Sequence, residues 1–118
     1  SDEDKPKGAA GMTAQECQEV IDTKSERELQ KQVADYLRQR DIPFGQSRMD
    51  KPATGTIGWP DFVFPFKGKC WGIECKSKTG KQSIQQLDCE RKFLEHGGHY
   101  ILIRSLTDLK NALDNKPF

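Results

Sequence analysis

The chain has 118 residues, of which 34% are hydrophobic and 31% are charged, and its formal net charge is +1. A chain of this length supports one compact domain with a single small core. No apolar stretch approaches the roughly 18 residues that a membrane-spanning helix needs, and no signal-peptide hydrophobic segment stands out. The sequence therefore predicts an intracellular, cytoplasmic protein.

The near-neutral net charge conceals an uneven distribution along the chain. Residues 1–28 contain eight acidic and four basic side chains, a net charge of −4, and residues 29–118 carry +5. Lysines of the second part cluster between positions 67 and 81. Such a basic patch can steer a phosphate backbone, although solvated surface lysines give the same pattern.

The first elements in chain order are a tail and a short helix. Residues 1–11 are polar and show no periodicity, which is typical of a flexible tail or of a segment added for expression. Residues 12–118 are predicted to form the single domain. Thr13 is a candidate N-cap for a short helix that ends near Asp22.

A second, longer helix is predicted after the first. Ser25 and Glu28 have the spacing of a capping box, and the apolar stripe that follows them continues to about Arg40. Pro43 ends the helical pattern, because proline has no backbone N–H to donate. Residues 42–59 are rich in Gly, Pro and Thr, which predicts a strand followed by a loop.

The strongest local signal is a β-hairpin. Two hydrophobic runs, 61–66 and 69–74, are joined by a two-residue loop that ends in glycine, which is typical of a tight hairpin turn. Pairing across this turn places Asp61 opposite Glu74, with Lys76 on the same face. Cβ atoms of opposed residues lie roughly 4.5–5.5 Å apart, so the carboxylates would repel each other unless a divalent cation lay between them. A charged strand end open to solvent fits the charge pattern equally well.

The last third of the chain predicts a helix, a strand and a further helix. Ser83 begins the first helix, which extends to about His96. Its buried positions are predicted to include Leu87, Phe93 and Leu94. Residues 100–103 form a continuous apolar run suited to a buried strand, and Ser105 caps the last helix. Strand, helix and strand in this order predict a parallel crossover, and hence an α/β fold with a mixed sheet.

The cysteines and histidines do not have the spacing of a zinc site. The four cysteines form no Cys-x-x-Cys motif and are predicted to be reduced thiols. They are Cys17, Cys70, Cys75 and Cys89. His96 and His99 flank a helix exit, where we expect them to favour the helix dipole rather than a metal ion.

Beyond these local signals, the sequence resembles a nuclease family. Residues 58–61 read Gly-Trp-Pro-Asp, residues 73–81 read Ile-Glu-Cys-Lys-Ser-Lys-Thr-Gly-Lys, and the next helix opens with Gln-Gln at 85–86. This pattern resembles the VRR-NUC domain family of the PD-(D/E)XK nuclease superfamily, in its small free-standing phage and bacterial form. The resemblance extends over residues 25–106 and implies a PD-(D/E)XK-like α/β fold and metal-dependent hydrolysis of DNA.

The resemblance also implies a set of site residues. The candidate catalytic residues are Glu26, Asp61, Glu74, Lys76 and Gln86. Mg²⁺ or Mn²⁺ would be held by Asp61, Glu74 and the backbone carbonyl of Cys75, with Glu26 contacting the ion directly or through water. Charge alone suggests four DNA contacts, which are Arg48, Lys51, Lys78 and Lys81. Simpler roles remain open: a turn cap for Asp61, an ion pair for Lys76, a helix cap for Gln86 and dipole compensation for Glu26.

The expected partner is DNA. Free-standing domains of this size resemble the junction-cleaving branch of the superfamily, so we expect a homodimer that acts on branched DNA in the manner of a Holliday-junction resolvase. Two alternatives stay open at this point. The chain could be a catalytically silent DNA-binding module, or a protein-recruitment subunit that keeps the nuclease fold.

Overall fold

A computed structural model describes residues 12–47 and 56–115. Its elements are α1 (Ala14–Gln39), β1 (Gly45–Gln46), β2 (Phe62–Phe66), β3 (Lys69–Cys75), α2 (Ile84–Glu95), β4 (His99–Ile103) and α3 (Leu106–Asn115). The strands form one sheet in the order β1-β2-β3-β4, in which only the β3–β4 pair is parallel. The predicted α/β fold with a mixed sheet and flanking helices is confirmed. The predicted tail, residues 1–11, lies outside the described residues.

The N-terminal helix begins as predicted but does not stop where expected. The Thr13 side chain accepts a hydrogen bond from the Glu16 N–H at 3.0 Å. The prediction of two separate helices is wrong, because α1 is continuous and Ser25 and Glu28 lie in its interior. No glycine or proline interrupts α1, and a serine inside a helix costs only a few tenths of a kcal/mol. The capping-box pattern therefore forms no cap.

The C-terminal end of α1 is closed by backbone hydrogen bonds rather than by Pro43. Asp41 adopts a left-handed conformation with φ of 57°. This turn lets the Ile42 N–H donate to the Leu37 carbonyl at 2.9 Å, and the Asp41 N–H to the carbonyl of Arg38 at 3.0 Å. These bonds form a Schellman motif, which satisfies carbonyls that a helix end leaves open. The chain is thereby directed into β1.

The predicted hairpin and its register are confirmed. Lys67 and Gly68 form the turn with φ of 48° and 78°, the pattern of a two-residue turn whose twist matches the paired strands. Ladder pairs run from Phe66 opposite Lys69 to Phe62 opposite Ile73. Asp61 directly precedes this ladder, and Glu74 follows its last paired residue on β3. The turn chemistry therefore fixes the position of both carboxylates.

The core lies on one face of the sheet, between the hairpin and the helices α1 and α3. Its fully buried members include Val33, Leu37, Phe62, Phe64, Trp71, Ile73, Leu109 and Leu113. The other face of the sheet is covered by α2, where Phe93 lies against Gly72. The expected burial of Leu87 and Leu94 is wrong, because both are more than half exposed. Ring contacts of Phe93 with Trp59 and Tyr100 turn α2 so that Cys89 and Phe93 face the sheet.

The described helices carry no membrane-spanning signal. None of them combines the length and the apolar character needed to cross a bilayer.

Candidate active site

Two carboxylates meet at the end of the hairpin. The Asp61 Oδ2 accepts a hydrogen bond from the Cys75 N–H at 2.8 Å, which ties the start of β2 to the end of β3. The Glu74 side chain is only 3% exposed and is hydrogen-bonded to the Asp61 carboxyl group. The structure therefore brings Asp61 and Glu74 together as their positions across the turn predict.

Burial controls the charge of this pair. Desolvation raises the pKa of Asp61. Desolvation, followed by the negative charge of Asp61, raises the pKa of Glu74 to about 8. Two close carboxylates cannot both ionise cheaply in a desolvated site. Without a cation, the pair therefore retains a proton on Glu74 at neutral pH, which removes most of the repulsion expected from the sequence.

Helix α1 contributes two polar side chains to this end of the sheet. Glu26 Oε1 accepts a hydrogen bond from the Ser77 N–H at 3.4 Å, so this carboxylate lies beside the loop that follows β3. One turn later, the Gln30 side chain is buried and forms a hydrogen bond with Asp61. Sequence reasoning missed Gln30. Its signal was the i,i+4 spacing from Glu26, which places both side chains on one face of the helix.

Lys76 lies directly after β3. Its backbone N–H donates to the Ile103 carbonyl at 3.0 Å, which extends the parallel pairing past the carboxylates. The side chain is partly buried, and its positive charge lowers the pKa of Asp61 and of Glu74, against the larger effect of burial. An ammonium group is therefore present within electrostatic reach of both carboxylates.

The loop after Lys76 is held by Arg104, a residue that sequence reasoning did not single out. The Arg104 guanidinium donates to the carbonyls of Ser77, Lys78 and Gly80. Ser77 in turn donates its N–H to Glu26. Arg104 thus connects the end of β4 to the loop that carries the outer part of the site.

Tyr100 is a second residue that was missed. Its hydroxyl lies 3.2 Å from Glu74 Oε2 and 3.3 Å from the Gly58 carbonyl, within donating distance of either. Burial, and then the charge of Glu74, raise the pKa of this phenol, so it stays a neutral donor. Tyr100 pairs with Gly72 in the parallel ladder and so shares the face of Glu74. The parallel crossover predicted from the sequence already places the strand of Tyr100 beside the strand of Glu74, which was the signal for this residue.

Gln86 is engaged in the helix cap. Its side-chain oxygen accepts from the Ser83 N–H at 2.9 Å, and its own N–H donates to the Ser83 hydroxyl oxygen at 3.1 Å. Among the hydrogen bonds between described residues, Gln86 bonds to Ser83 and to neither carboxylate. The capping box predicted for α2 is therefore confirmed, and the structure does not bring this amide into the carboxylate pair.

Gly58 packs against the N-terminus of α2. Its φ is +87°, and a Cβ at this position would lie 2.2 Å from the Gln85 carbonyl oxygen. Gly58→Ala should therefore lower the free energy of unfolding by more than about 1–2 kcal/mol, the cost of left-handed backbone alone. Urea denaturation would measure this change. Gly45→Ala is the matched control, because a Cβ there meets nothing within 4 Å; equal stability of the two variants would contradict the packing.

The candidate metal donors are few. No group of three or more His, Cys, Asp or Glu side chains in residues 12–47 and 56–115 is arranged to hold a metal ion. The oxygen donors that the structure brings together are the Asp61 and Glu74 carboxylates, and the predicted third donor, the Cys75 carbonyl, belongs to the residue whose N–H bonds to Asp61. Mg²⁺ keeps several water ligands and is commonly bound through one or two carboxylates, so this set fits a hard divalent cation. The Cys75 thiol lies in the hydrophobic core, on the face of β3 opposite to Glu74, and so points away from the carboxylate pair.

The four candidate DNA-binding residues fall into two pairs. Lys78 and Lys81 are exposed and lie in the loop that connects β3 to α2, shortly after Lys76. Arg48 and Lys51 lie outside the described residues. Of the histidines, His99 contacts Trp71, with ring centroids 4.3 Å apart and ring planes tilted by 37°.

Comparisons with known proteins bear on the fold. No family model and no curated protein matches the chain. A solved structure described as a VRR_NUC domain is similar, with a TM-score of 0.62 and 17% sequence identity, over 79% of this chain and 98% of that chain. At this identity, the likeness establishes the fold alone. The fold expected from the sequence resemblance is confirmed, and the chain has the fold of a VRR_NUC domain.

Proposed function

We propose that this protein is a metal-dependent endonuclease that hydrolyses phosphodiester bonds in DNA. The observation that carries the proposal is the hydrogen-bonded pair of Glu74, which is buried, and Asp61, which is partly buried, with the Lys76 ammonium within electrostatic reach. Such a pair is costly to maintain, since burial raises the pKa of both carboxyl groups. Strongly shifted carboxyl groups that share a site with a cation partner are typical of catalytic centres. The two carboxyl groups lie at the end of the β2–β3 hairpin, where the partly exposed Lys76 follows β3.

The mechanism assigns a role to each side chain. Mg²⁺ or Mn²⁺, bound by Asp61, Glu74 and the Cys75 carbonyl, would supply Lewis-acid activation of the scissile phosphate and of a water molecule. Lys76 orients the attacking water and stabilises negative charge that develops at the phosphorus. The Cys75 N–H and Gln30 orient Asp61, and Tyr100 orients Glu74.

Two further residues act at the periphery of the proposed site. Glu26 would help to hold the ion through water, and the Ser77 N–H fixes this carboxylate. Gln86 belongs to the N-terminus of α2, where backbone N–H groups and the helix dipole favour an anion. In this proposal, Gln86 leaves its cap bond to contact the phosphate.

Metal binding should stabilise the protein and should depend on Asp61. A cation that binds only the folded state adds about 2.7 kcal/mol at a concentration one hundred times its dissociation constant. Added Mg²⁺ or Mn²⁺ should therefore raise the melting temperature of the wild type. Asp61→Asn should lose this response, while Asp88→Asn, which alters an exposed carboxylate of α2, should keep it. A shift that persists undiminished in Asp61→Asn would locate the ion elsewhere.

The same experiment separates the proposal from a catalytically silent module. A binding-only domain has no use for a cation between Asp61 and Glu74 and should show no Asp61-dependent uptake of Mn²⁺. Cleavage should then be compared on single-stranded, duplex, flapped and four-way-junction DNA with and without Mg²⁺. Failure to cut any of these substrates, together with absent Mn²⁺ uptake, would reject the nuclease.

We further propose that the protein acts on branched DNA as a homodimer. One domain with one site engages a short length of backbone, and a dimer doubles both the phosphate contacts and the cuts available. Exposed apolar side chains on α2, Ile84, Leu87 and Leu94, offer surface that a second copy would cover.

The dimer has measurable consequences for oligomeric state and for binding. Light scattering should give a molar mass twice that of one chain for the wild type and the mass of a monomer for Leu94→Glu. A dimer that makes six or more phosphate contacts should lose on the order of a thousandfold in affinity between 50 and 200 mM salt. A monomer that cuts linear duplex as fast as a four-way junction would overturn the branched-DNA proposal and leave the nuclease intact.

A further inference from the structure

A cavity of about 260 Å³ lies between α2 and the segment that precedes β2. We call it the aromatic cavity; its lining includes Trp59, Phe93, Cys89, Lys92 and His96. None of the roles assigned above to the carboxylate pair, Lys76 or the surrounding loop uses this cavity. Its position and its chemistry indicate what it binds.

The aromatic cavity opens on the same face of the sheet as the carboxylate pair. Cys70 of β3 also lines it, and side chains at positions 70, 72 and 74 point to one face of the strand. The distance from Cys70 to Glu74 along β3 is about 13 Å, at roughly 3.3 Å per residue. Between them, Pro60 and Phe93 fill the space above Gly72. A strand of nucleic acid that crosses the carboxylates would reach the cavity within a few nucleotides.

Trp59 forms the exposed wall of the aromatic cavity. Its side chain is 45% exposed, whereas the other tryptophan, Trp71, is fully buried. The Trp59 ring contacts Phe93 with centroids 5.3 Å apart, and Phe93 contacts Tyr100 edge-on at 5.6 Å. Tyr100 in turn contacts Glu74. Trp59 is therefore a supported aromatic platform, connected through two rings to the carboxylate pair and placed two residues before Asp61.

The charge of the lining selects the class of ligand. Of the described residues that line the aromatic cavity, Lys92 and His96 are basic and none is acidic, and Lys92 also forms an exposed ion pair with Asp88 at 3.0 Å. A cavity along α1 instead has mixed charge, because three glutamates, Glu16, Glu19 and Glu28, lie there beside Lys24, Arg27 and Lys31. A flat apolar wall with a basic rim suits a planar ring that carries an attached anion. A nucleobase on its phosphate backbone has this chemistry.

We propose that the aromatic cavity binds an unpaired nucleobase of the strand that passes the carboxylate pair, with the base stacked on Trp59. The inference rests on the proposed nuclease function and names the feature of the substrate that the site selects. A base inside a duplex is stacked on its neighbours and must be extruded before it can enter such a cavity. The cavity therefore favours strands that have an unpaired nucleotide a few positions from the scissile phosphate.

Tryptophan fluorescence tests this proposal without any cleavage. A short oligodeoxythymidylate should quench the emission saturably, both in EDTA and in Ca²⁺. Because Trp71 is buried, the quenching reports Trp59, and Trp59→Phe should abolish it while retaining most of the affinity. Trp59→Ala should weaken binding roughly tenfold to a hundredfold, the effect of losing one base–aromatic stack. Ile57→Ala, which truncates an exposed apolar side chain two residues away, should bind as the wild type does.

A scan of single abasic nucleotides locates the stacked base. One position should weaken wild-type binding as much as Trp59→Ala does, and the same abasic strand should cost Trp59→Ala nothing further. Unquenched emission in both buffers, or wild-type affinity of Trp59→Ala, would overturn the inference. A concentration-dependent change of oligomeric state in Trp59→Ala would also overturn it, since a second copy would then fill the cavity.

Failure of this inference can be told apart from failure of the proposed function. If the protein binds DNA through Trp59 and cuts none, the base-binding inference stands and the proposed nuclease function is rejected. If the Trp59→Ala variant cuts flapped and duplex DNA at wild-type rates, the nuclease function stands and the base-binding inference is rejected.

Discussion

Lys76→Ala should slow DNA cleavage by at least about a hundredfold, the usual cost of removing one donor that stabilises transition-state charge. The fold should survive, because the Lys76 side chain is only partly buried and its backbone N–H, which bonds to Ile103, is unaffected by the substitution. Single-turnover cleavage of a flapped substrate would measure the loss. Circular dichroism and thermal melting of the same preparation would verify the fold.

Metal affinity distinguishes this role from a simple ion pair. Lys76 lowers the pKa of both carboxyl groups, so its removal strengthens proton competition at neutral pH. In calorimetry with Mn²⁺, Lys76→Ala should still bind the ion, and its affinity should approach that of the wild type as the pH rises. Lys31→Ala, an exposed lysine of α1, is the matched control for loss of one positive charge. Robust cleavage by Lys76→Ala would remove this lysine from the mechanism.

In the absence of metal, the free energy of unfolding should decrease as the pH rises from 4.5 to about 8. The folded state raises the pKa of Glu74 from 4.5 to about 8, mainly through desolvation. Between these two pH values Glu74 has lost its proton in the unfolded chain but keeps it in the folded protein. Each unit of increase in pH therefore lowers the free energy of unfolding. The slope approaches roughly 1.4 kcal/mol per pH unit as an upper limit for one group.

Glu74→Gln should flatten this dependence, because the amide has no proton to lose. Urea denaturation at several pH values in EDTA would compare it with the wild type and with Glu28→Gln, an exposed glutamate of α1 that should leave the slope unchanged. Saturating Mg²⁺ should also flatten the wild-type slope, since the bound cation offsets the negative charge. A slope that is the same in Glu74→Gln and in the wild type would assign the titration to another group.

Predictions from sequence succeeded where a local signal determines the structure. The Lys67-Gly68 turn has one favourable geometry, and this geometry sets the register that places Asp61 beside Glu74. Ser83 and Gln86 satisfy each other within one helical turn, so their cap forms whatever surrounds it. The position of the carboxylate pair could therefore be predicted without knowledge of the rest of the fold.

Predictions failed where tertiary packing chooses between local alternatives. The spacing of Ser25 and Glu28 is compatible with a cap or with the interior of a helix, and the long continuous helix prevails. The orientation of α2 follows from ring contacts of Phe93 with Trp59, which lie far apart in sequence. Of the supporting residues, Tyr100 lies in β4 and Arg104 directly follows it, and the parallel pairing of β4 with β3 brings both to the site.

The uneven burial of α1 has a consequence for the dynamics of the site. The first buried residue of this helix is Leu29, and the turns before it contact the rest of the fold through the polar side chains of Asp22, bonded to Thr79, and Glu26, bonded to Ser77. Short lengths of helix without packing open readily, and their amides exchange hydrogen faster than those of a packed core. Glu26 lies where the sparsely packed turns of α1 meet its buried part, whereas Asp61 and Glu74 are anchored to the sheet. Local opening of α1 should therefore withdraw Glu26 from the site intermittently while the carboxylate pair stays in place.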